Sequence, residues 1–212
     1  MRAIHAPIYA HRQEVLVRLI MAHSRAGCRV LDVGCGFGHL GKAIMDHSSK
    51  VTVEGLERAK RGGEPILVHL YDGSRIPWPD STFDIVILAD VLHHELDPDH
   101  LLQESVRVSR ELTIVKDHLR EGFLAQQRIS LLDWAANAPY NVRCTYRYNN
   151  LRKWHEMFEC AHVRLNEELT SIDIYPPFIN QLLGKGLHYL AVIERNGACA
   201  SLKVPNDKCQ NI

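Results

Sequence analysis

An excess of charge of either sign is missing from this chain: 25 lysines and arginines balance 25 aspartates and glutamates over 212 residues. No global field draws it to nucleic acid or to an anionic membrane, although balance leaves room for a local patch. A small neutral or mixed substrate is the simpler expectation. Also missing is any apolar run long enough to span a bilayer, and Pro7 and several histidines stand where a signal peptide needs unbroken apolar sequence. These lacks predict a cytoplasmic protein. The six cysteines, at 28, 35, 144, 160, 199 and 209, include no C-x-x-C pair, so neither a zinc site nor a disulfide framework is suggested and free thiols are expected. Nothing reads as a linker, and the length supports one sizeable core, so a single domain over 1–212 is expected.

What is present is concentrated between Val30 and Gly41, V-L-D-V-G-C-G-F-G-H-L-G. An apolar run carrying Asp32 gives way to alternating glycines and then to helix-compatible sequence, which predicts a strand, a ligand-holding loop and a helix N-terminus. Gly34, Gly36 and Gly38 can take positive φ and let the backbone approach a ligand with no Cβ in the way. A plain tight turn would not need three of them. Dinucleotide loops read G-x-G-x-x-G directly after the strand. Counted from Gly34, the third glycine would fall on His39. The frame Gly36, Gly38, Gly41 has the spacing but places Gly34 and charged Asp32 inside the preceding strand, and fits less well.

Asp32-x-Gly34-x-Gly36-x-Gly38 instead resembles the first motif of class I S-adenosylmethionine-dependent methyltransferases, where the loop wraps the methionine end of the cofactor. Glu57 closes the β-rich run from Val51 to Leu56, and a carboxylate at that strand tip can accept hydrogen bonds from both ribose hydroxyls. From Tyr71, Y-D-G-S-R-I-P-W-P-D-S-T-F-D resembles the D-x-x-x-L-P-F-x-D-x-S-F-D stretch of the ubiquinone and menaquinone C-methyltransferase-like branch. That resemblance implies Asp72 facing the adenine amino group and Gly73 offering its N–H to the ring; read alone, the stretch is a surface turn. The implied cofactor is S-adenosyl-L-methionine, held by Asp32, Gly34, Cys35, Gly36, Gly38, Glu57, Asp72, Gly73 and Asp90, and no metal is required.

Phe83 to Ala89, F-D-I-V-I-L-A, reads as a buried parallel strand ending at Asp90, with V-L-H-H beyond it. A helix over 100–109 leads to a fifth strand, Leu112 to Lys116, ending in Asp117-His118. Because open α/β sheets bind ligands at the carboxyl ends of their strands, Asp32, Glu57, Asp72, Asp90, Asp117 and His118 are expected to converge on one crevice. The resemblance puts His93 and His94 near the transferred methyl group. Histidine suits proton removal near neutrality, so the candidate bases are His118, the favoured one, His93 and His94, with Asp117 able to orient His118 or another nearby group, although adjacent side chains on an extended segment point apart. Holding a loop by hydrogen bonds is the alternative for each. His69, inside the third strand, is expected to be packed.

Val15, Leu16, Leu19 and Ile20 recur at helical spacing through 9–24, predicting an amphipathic helix that either packs on the sheet or forms, within residues 1–25, a lid. A short helix is expected at Leu40 to Asp46. Between Glu57 and the run Ile66 to Leu70 stands only R-A-K-R-G-G-E-P, too short for a helical crossover, so the second helix is reduced to a turn or the third strand is short. Residues 119–160 read as a substrate-side insertion: a helix from Phe123 to Trp134, then Tyr146, Tyr148 and Trp154, which roof a pocket or fill core. N-A-P-Y at 137–140 reads as a loop, since the amine-gripping N-P-P-Y motif it resembles belongs after the fourth strand. A helix from Leu151 to Cys160 and strands at His162 to Glu168 and Leu187 to Glu194 complete the pattern, with 197–212 a flexible tail. The fold expected is α/β, a Rossmann-like doubly wound mostly parallel sheet with a terminal antiparallel strand. The function expected is S-adenosylmethionine-dependent methyl transfer to a small, partly apolar or aromatic molecule, its acceptor atom and the oligomeric state left open. A NAD-dependent oxidoreductase and a non-catalytic cofactor-binding protein are the alternatives.

Overall fold

The continuous apolar run Phe83–Ala89 forms β4, the strand on which the sheet is built, buried over all but its last residue. The computed structural model describes residues 2–137 and 144–196, the side chains of 2–7, 137, 182 and 183 excepted. In chain order the elements are α1 (Arg2–Met21), β1 (Arg29–Val33), α2 (His39–His47), β2 (Thr52–Glu57), β3 (Leu67–Leu70), β4, α3 (Pro98–Val108), β5 (Ser109–His118), α4 (Ala125–Asn137), α5 (Leu151–Cys160), β6 (Val163–Leu169) and β7 (His188–Arg195). One seven-stranded sheet has the order β3-β2-β1-β4-β5-β7-β6. β1 pairs in parallel with both β2 and β4, so the strand order reverses there, and β7 runs antiparallel between β5 and β6. This is the expected α/β sheet with its antiparallel return.

Side chains alternate across strands, so each face of the sheet acquires its own core. Leu31, Val86, Leu88 and Val115 pack with Leu102, Trp154 and Phe158 from α3 and α5. Val30, Ile85, Ile87 and Ile114 pack with Leu16 and Ile20 of α1 and Ile44 of α2. The C-terminal half of α1 thus packs on the sheet, while Ile8, Tyr9 and Arg12 from its N-terminal half border the cavity at the ends of β4, β5 and β7. Asp32, next to Leu31, falls on the α1 and α2 face, and Asp117 and His118 point to opposite faces.

Both readings of the short link after Glu57 hold, since residues 58–66 contain no helix and β3 has four residues, paired in parallel with β2 from Glu54↔Leu67 to Glu57↔Leu70. α3 starts two residues before the predicted position because the Asp97 side chain accepts the His100 amide at 3.0 Å and Pro98 occupies the first turn. β5 extends to His118, pairing to its end with β7. Cys28 and Cys35 are free thiols, but Cys160 is disulfide-bonded, contrary to expectation. Residues 138–140 of N-A-P-Y, Cys199, Cys209 and the tail 197–212 lie outside the described residues. Among the described residues, no helix is long and apolar enough to cross a membrane.

Candidate active site

Beyond β1, Gly34, Gly36 and Gly38 take φ of 68°, 58° and 73°. Their surroundings divide them. A Cβ on Gly34 would stand 2.4 Å from the Val91 side chain and one on Gly38 2.7 Å from Ile66, whereas one on Gly36 would meet nothing within 4 Å. Gly34 and Gly38 let neighbouring elements close in; Gly36 faces open space, where a ligand has room. Glu57 Oε1 accepts the Gly36 N–H at 2.8 Å and Oε2 accepts the Arg58 N–H at 3.0 Å, so the β2 tip holds the loop. Asp32 is 2% exposed and its Oδ2 has no hydrogen-bond partner. Burial, and then nearby Glu57, push its pKa up to about 7 against the opposing pull of Arg12. The Cys35 thiol packs on β2, where a Cβ on Gly55 would come within 2.5 Å of it, and burial pushes its pKa up.

Asp72 is exposed and turned to its own loop: Oδ1 accepts from the Ser74 hydroxyl and amide at 2.5 and 2.9 Å, bonds that lower its pKa. Over Gly73, at φ 87°, lies the Arg58 guanidinium, 2.6 Å from where a Cβ would be and paired with Glu95 at 2.6 Å. Nothing in the sequence marks Arg58 for that place.

A cavity of about 390 Å³ opens at the ends of β4, β5 and β7. Its polar wall carries Arg12 from α1, Asp90, His93, His94, Lys116 and His118, with Asp133 of α4 and His188 of β7; Ile8, Leu132, Ala135, Ala136 and Ile179 supply an apolar wall. Asp32, Glu57 and Asp72 do not line it, so the single crevice expected from the strand ends divides into a glycine-loop side and this cavity. Arg12, near enough to Asp32 to lower its pKa, connects them. Asp90, at φ 56°, accepts from the Arg12 guanidinium and from Lys116 Nζ at 2.5 Å. Lys116 is 2% exposed, and burial lowers its pKa despite Asp90.

Asp117 stands behind the cavity and serves His93. Its Oδ1 lies 2.6 Å from His93 Nδ1 and its Oδ2 accepts the His93 N–H at 3.3 Å. Toward His118 it accepts only the backbone N–H, at 2.7 Å. Of the two possibilities, that Asp117 orients the His118 ring or another nearby group, the geometry has the second, His93, because adjacent residues of a strand point to opposite faces. Burial lowers the pKa of His93, but Asp117 and Asp133 outweigh it and raise it to about 10. Burial brings His118 down to about 4, with Asp90 opposing. His118 Nδ1 has no hydrogen-bond partner. Its ring lies 5.2 Å from those of Tyr148 and His188. His69 is held against Glu54 at 2.7 Å and Trp78, as expected of a packed residue.

Of the predicted aromatics, Trp154 is core, donating its indole N–H to the His118 carbonyl at 3.2 Å, and Tyr146 is exposed. Tyr148 is buried and donates to Asp133 Oδ2 at 2.7 Å. Arg12, Lys116, Asp133 and His188 were not anticipated. For Lys116 a signal existed, a cation directly after the apolar residues T-I-V within β5. For the others it did not, since each reaches the cavity from a different element.

The family model described as methionine biosynthesis protein MetW matches residues 14–132. The 27-O-demethylrifamycin SV methyltransferase of Amycolatopsis mediterranei is 30% identical over 98 residues, 41% of this chain and 36% of the relative. The ubiquinone/menaquinone biosynthesis C-methyltransferase UbiE of Cupriavidus metallidurans is 32% identical over 158 residues, 65% of each chain. The chain thus spans between a third and two thirds of the length of these relatives. The crystal structure of the YcgJ protein of Bacillus subtilis superposes with a TM-score of 0.59 at 20% identity, over 89% of this chain and 100% of that one, a likeness of fold. With more than half of its residues inside the MetW model, and with the sheet order and glycine motif in agreement, the chain belongs to the MetW family and has the class I S-adenosylmethionine-dependent methyltransferase fold.

Proposed function

We propose that this protein transfers a methyl group from S-adenosylmethionine to a small acceptor. The observation that carries the reading is the buried Asp32 carboxyl, its Oδ2 without a partner, beside the open space at Gly36 and the carboxylate of Glu57. A cationic ligand bearing ribose hydroxyls answers all three. Asp32 and the loop residues Gly34, Cys35, Gly36 and Gly38 would hold its methionine end, Glu57 its ribose, and Asp72 and Gly73 its adenine edge. When bound, the cofactor supplies a methyl group on a sulfonium centre, and the protein's task is alignment and charge placement.

Asp90, fixed between Arg12 and Lys116, joins the cofactor side to the cavity. The cavity's apolar wall seats the body of the acceptor, and within the 119–160 segment α4 contributes Leu132, Asp133, Ala135 and Ala136 to that side. His118, with an unpartnered Nδ1 on the cavity, is the base for an acceptor that must lose a proton. Asp117 fixes His93 beside it as a positioning pair. The relatives' names speak of a rifamycin and of a C-methyltransferase, so they assign no acceptor to this chain.

Thermal unfolding with S-adenosylhomocysteine tests the reading, since a ligand that binds only the native state raises the melting temperature by mass action. A rise with this compound and none with NAD is expected. Equal shifts with NAD and none with S-adenosylhomocysteine would overturn it.

A further inference from the structure

Among the described residues, five imidazole nitrogens around the cavity are buried without a hydrogen-bond partner: His93 Nε2, His94 Nδ1, His118 Nδ1 and both of His188. Buried polar atoms in native proteins are almost always satisfied, so this many on one cavity call for a ligand that bonds to imidazole. The rings follow one another at centroid separations of 4.0, 5.0 and 5.2 Å from His94 through His93 and His118 to His188. We propose that His93, His94 and Asp133 bind a divalent transition-metal ion of the zinc class, with open coordination positions turned to the cavity.

The distances suit an ion better than a hydrogen bond. His93 Nε2 and Asp133 Oδ1 are 3.7 Å apart, beyond hydrogen-bond reach. Two ligands about 2.1 Å from a shared ion in tetrahedral geometry stand about 3.4 Å apart. One ligand atom from each of His93, His94 and Asp133 lies within 4.8 Å of the other two. Closure onto an ion therefore shortens these separations by about 0.3 Å to at most about 1.4 Å.

The surrounding bonds orient the same atoms. His93 Nδ1 is paired with Asp117 at 2.6 Å, the arrangement in which a carboxylate supports a metal-bound histidine, and an ion taken at Nε2 displaces the proton that Asp117 and Asp133 hold on the ring of the free protein. Tyr148 donates to Asp133 Oδ2 at 2.7 Å, steadying the carboxylate whose Oδ1 faces His93. Two imidazoles and a carboxylate form a donor set that zinc-class ions accept, and three protein ligands leave room for water or an acceptor oxygen or sulfur. The neighbouring group Asp90, His93, Asp117 and His118 is also compact, but Asp90 already binds the cations Arg12 and Lys116, which would repel a metal ion, and Asp117 is taken by His93 and the His118 amide. The ion belongs on the Asp133 side of the His93 ring.

The experiment strips the full chain with dipicolinate and titrates it with Co²⁺ alone, following visible absorption, with Zn²⁺ as competitor. One equivalent is expected to give the intense bands of a four- or five-coordinate site, and Zn²⁺ to abolish them. His94→Gln and Asp133→Asn should each weaken Co²⁺ binding at least 100-fold. Asp117→Asn, which leaves every ligand in place, should weaken it roughly 10- to 100-fold. His155→Ala, at a histidine that pairs with Glu168 away from the cavity, should leave it unchanged. Circular dichroism of each variant confirms its fold, and the Asp117→Asn readout decides if a ligand variant does not fold. Absence of the bands at one equivalent, or bands that survive His94→Gln and Asp133→Asn, would overturn the proposal. Binding of S-adenosylhomocysteine, measured in parallel, tests the methyl-transfer reading and bears on the glycine loop instead.

Discussion

Glu57 accepts the amide of Gly36 at 2.8 Å, so the carboxylate at the tip of β2 holds the very loop beside which a cofactor is proposed to lie. Glu57 then has two tasks, fixing the loop and meeting the ribose hydroxyls. Hydrogen bonds to a charged group contribute about 1.5 to 3 kcal/mol. Glu57→Ala is expected to weaken S-adenosylhomocysteine binding by that amount, roughly 10- to 100-fold in calorimetry, and to lower the melting temperature of the free protein as the loop amide loses its acceptor. An unchanged dissociation constant would remove Glu57 from the ribose site.

The three glycines should respond differently to substitution. All have positive φ, which any side chain resists. Only at Gly34 and Gly38 does the added Cβ also collide, with Val91 and Ile66. Gly34→Val and Gly38→Val are expected to destabilise the fold severely, while Gly36→Val folds and loses cofactor binding because its side chain fills the open space. Melting curves with and without S-adenosylhomocysteine separate the cases. A folded Gly36→Val that binds as tightly as the parent would place the ligand elsewhere.

These contrasts mark what sequence can reveal. Phe83–Ala89 is legible to the residue because a strand covered on both faces must be apolar throughout, and Leu151–Cys160 because its apolar positions repeat at helical spacing. The positive φ of the loop glycines follows from their alternation. Partnerships made by register are another matter. Arg12 meets Asp90 across 78 positions, and His93 meets Asp117 only because β4 and β5 lie side by side. Asp117 and His118 are neighbours in the chain and for that reason face apart. The division between glycine loop and cavity was likewise hidden, since strand ends name the edge of the sheet but not how Arg12 and α4 partition the space above it.

Asp90 tests the buried charges. It is the carboxylate that compensates both Arg12 and the nearly inaccessible Lys116. Removing one partner of a buried ion pair leaves a charge uncompensated and costs about 3 to 5 kcal/mol. Asp90→Asn should lower stability by that order in denaturant titration, and Asp90→Asn with Lys116→Met should recover part of the loss. A single variant as stable as the parent would show that Lys116 is uncharged in the fold.

The last prediction concerns Asp32 and pH. Burial and Glu57 raise its pKa to about 7 in the folded protein, well above that of an aspartate in an unfolded chain. The sign follows from linkage: a group whose folded pKa is raised contributes stability that is whole below the unfolded value and is lost as pH climbs through about 7. The contribution at stake is about 4 kcal/mol. A cation bound at the glycine loop reverses the preference, because it favours the ionised carboxylate. S-adenosylhomocysteine, which carries an ammonium group, should therefore bind up to ~10-fold more tightly at pH 8 than at pH 6 and release a proton on binding near pH 6.5. Calorimetry in buffers of different ionisation enthalpy reads that proton directly. Asp32→Asn cannot ionise, so it should bind weakly at every pH, with no proton released, and should lose less stability than the parent between pH 5 and 8. Equal pH dependence of affinity in the parent and in Asp32→Asn would show that the buried carboxyl does not face the cofactor's charge.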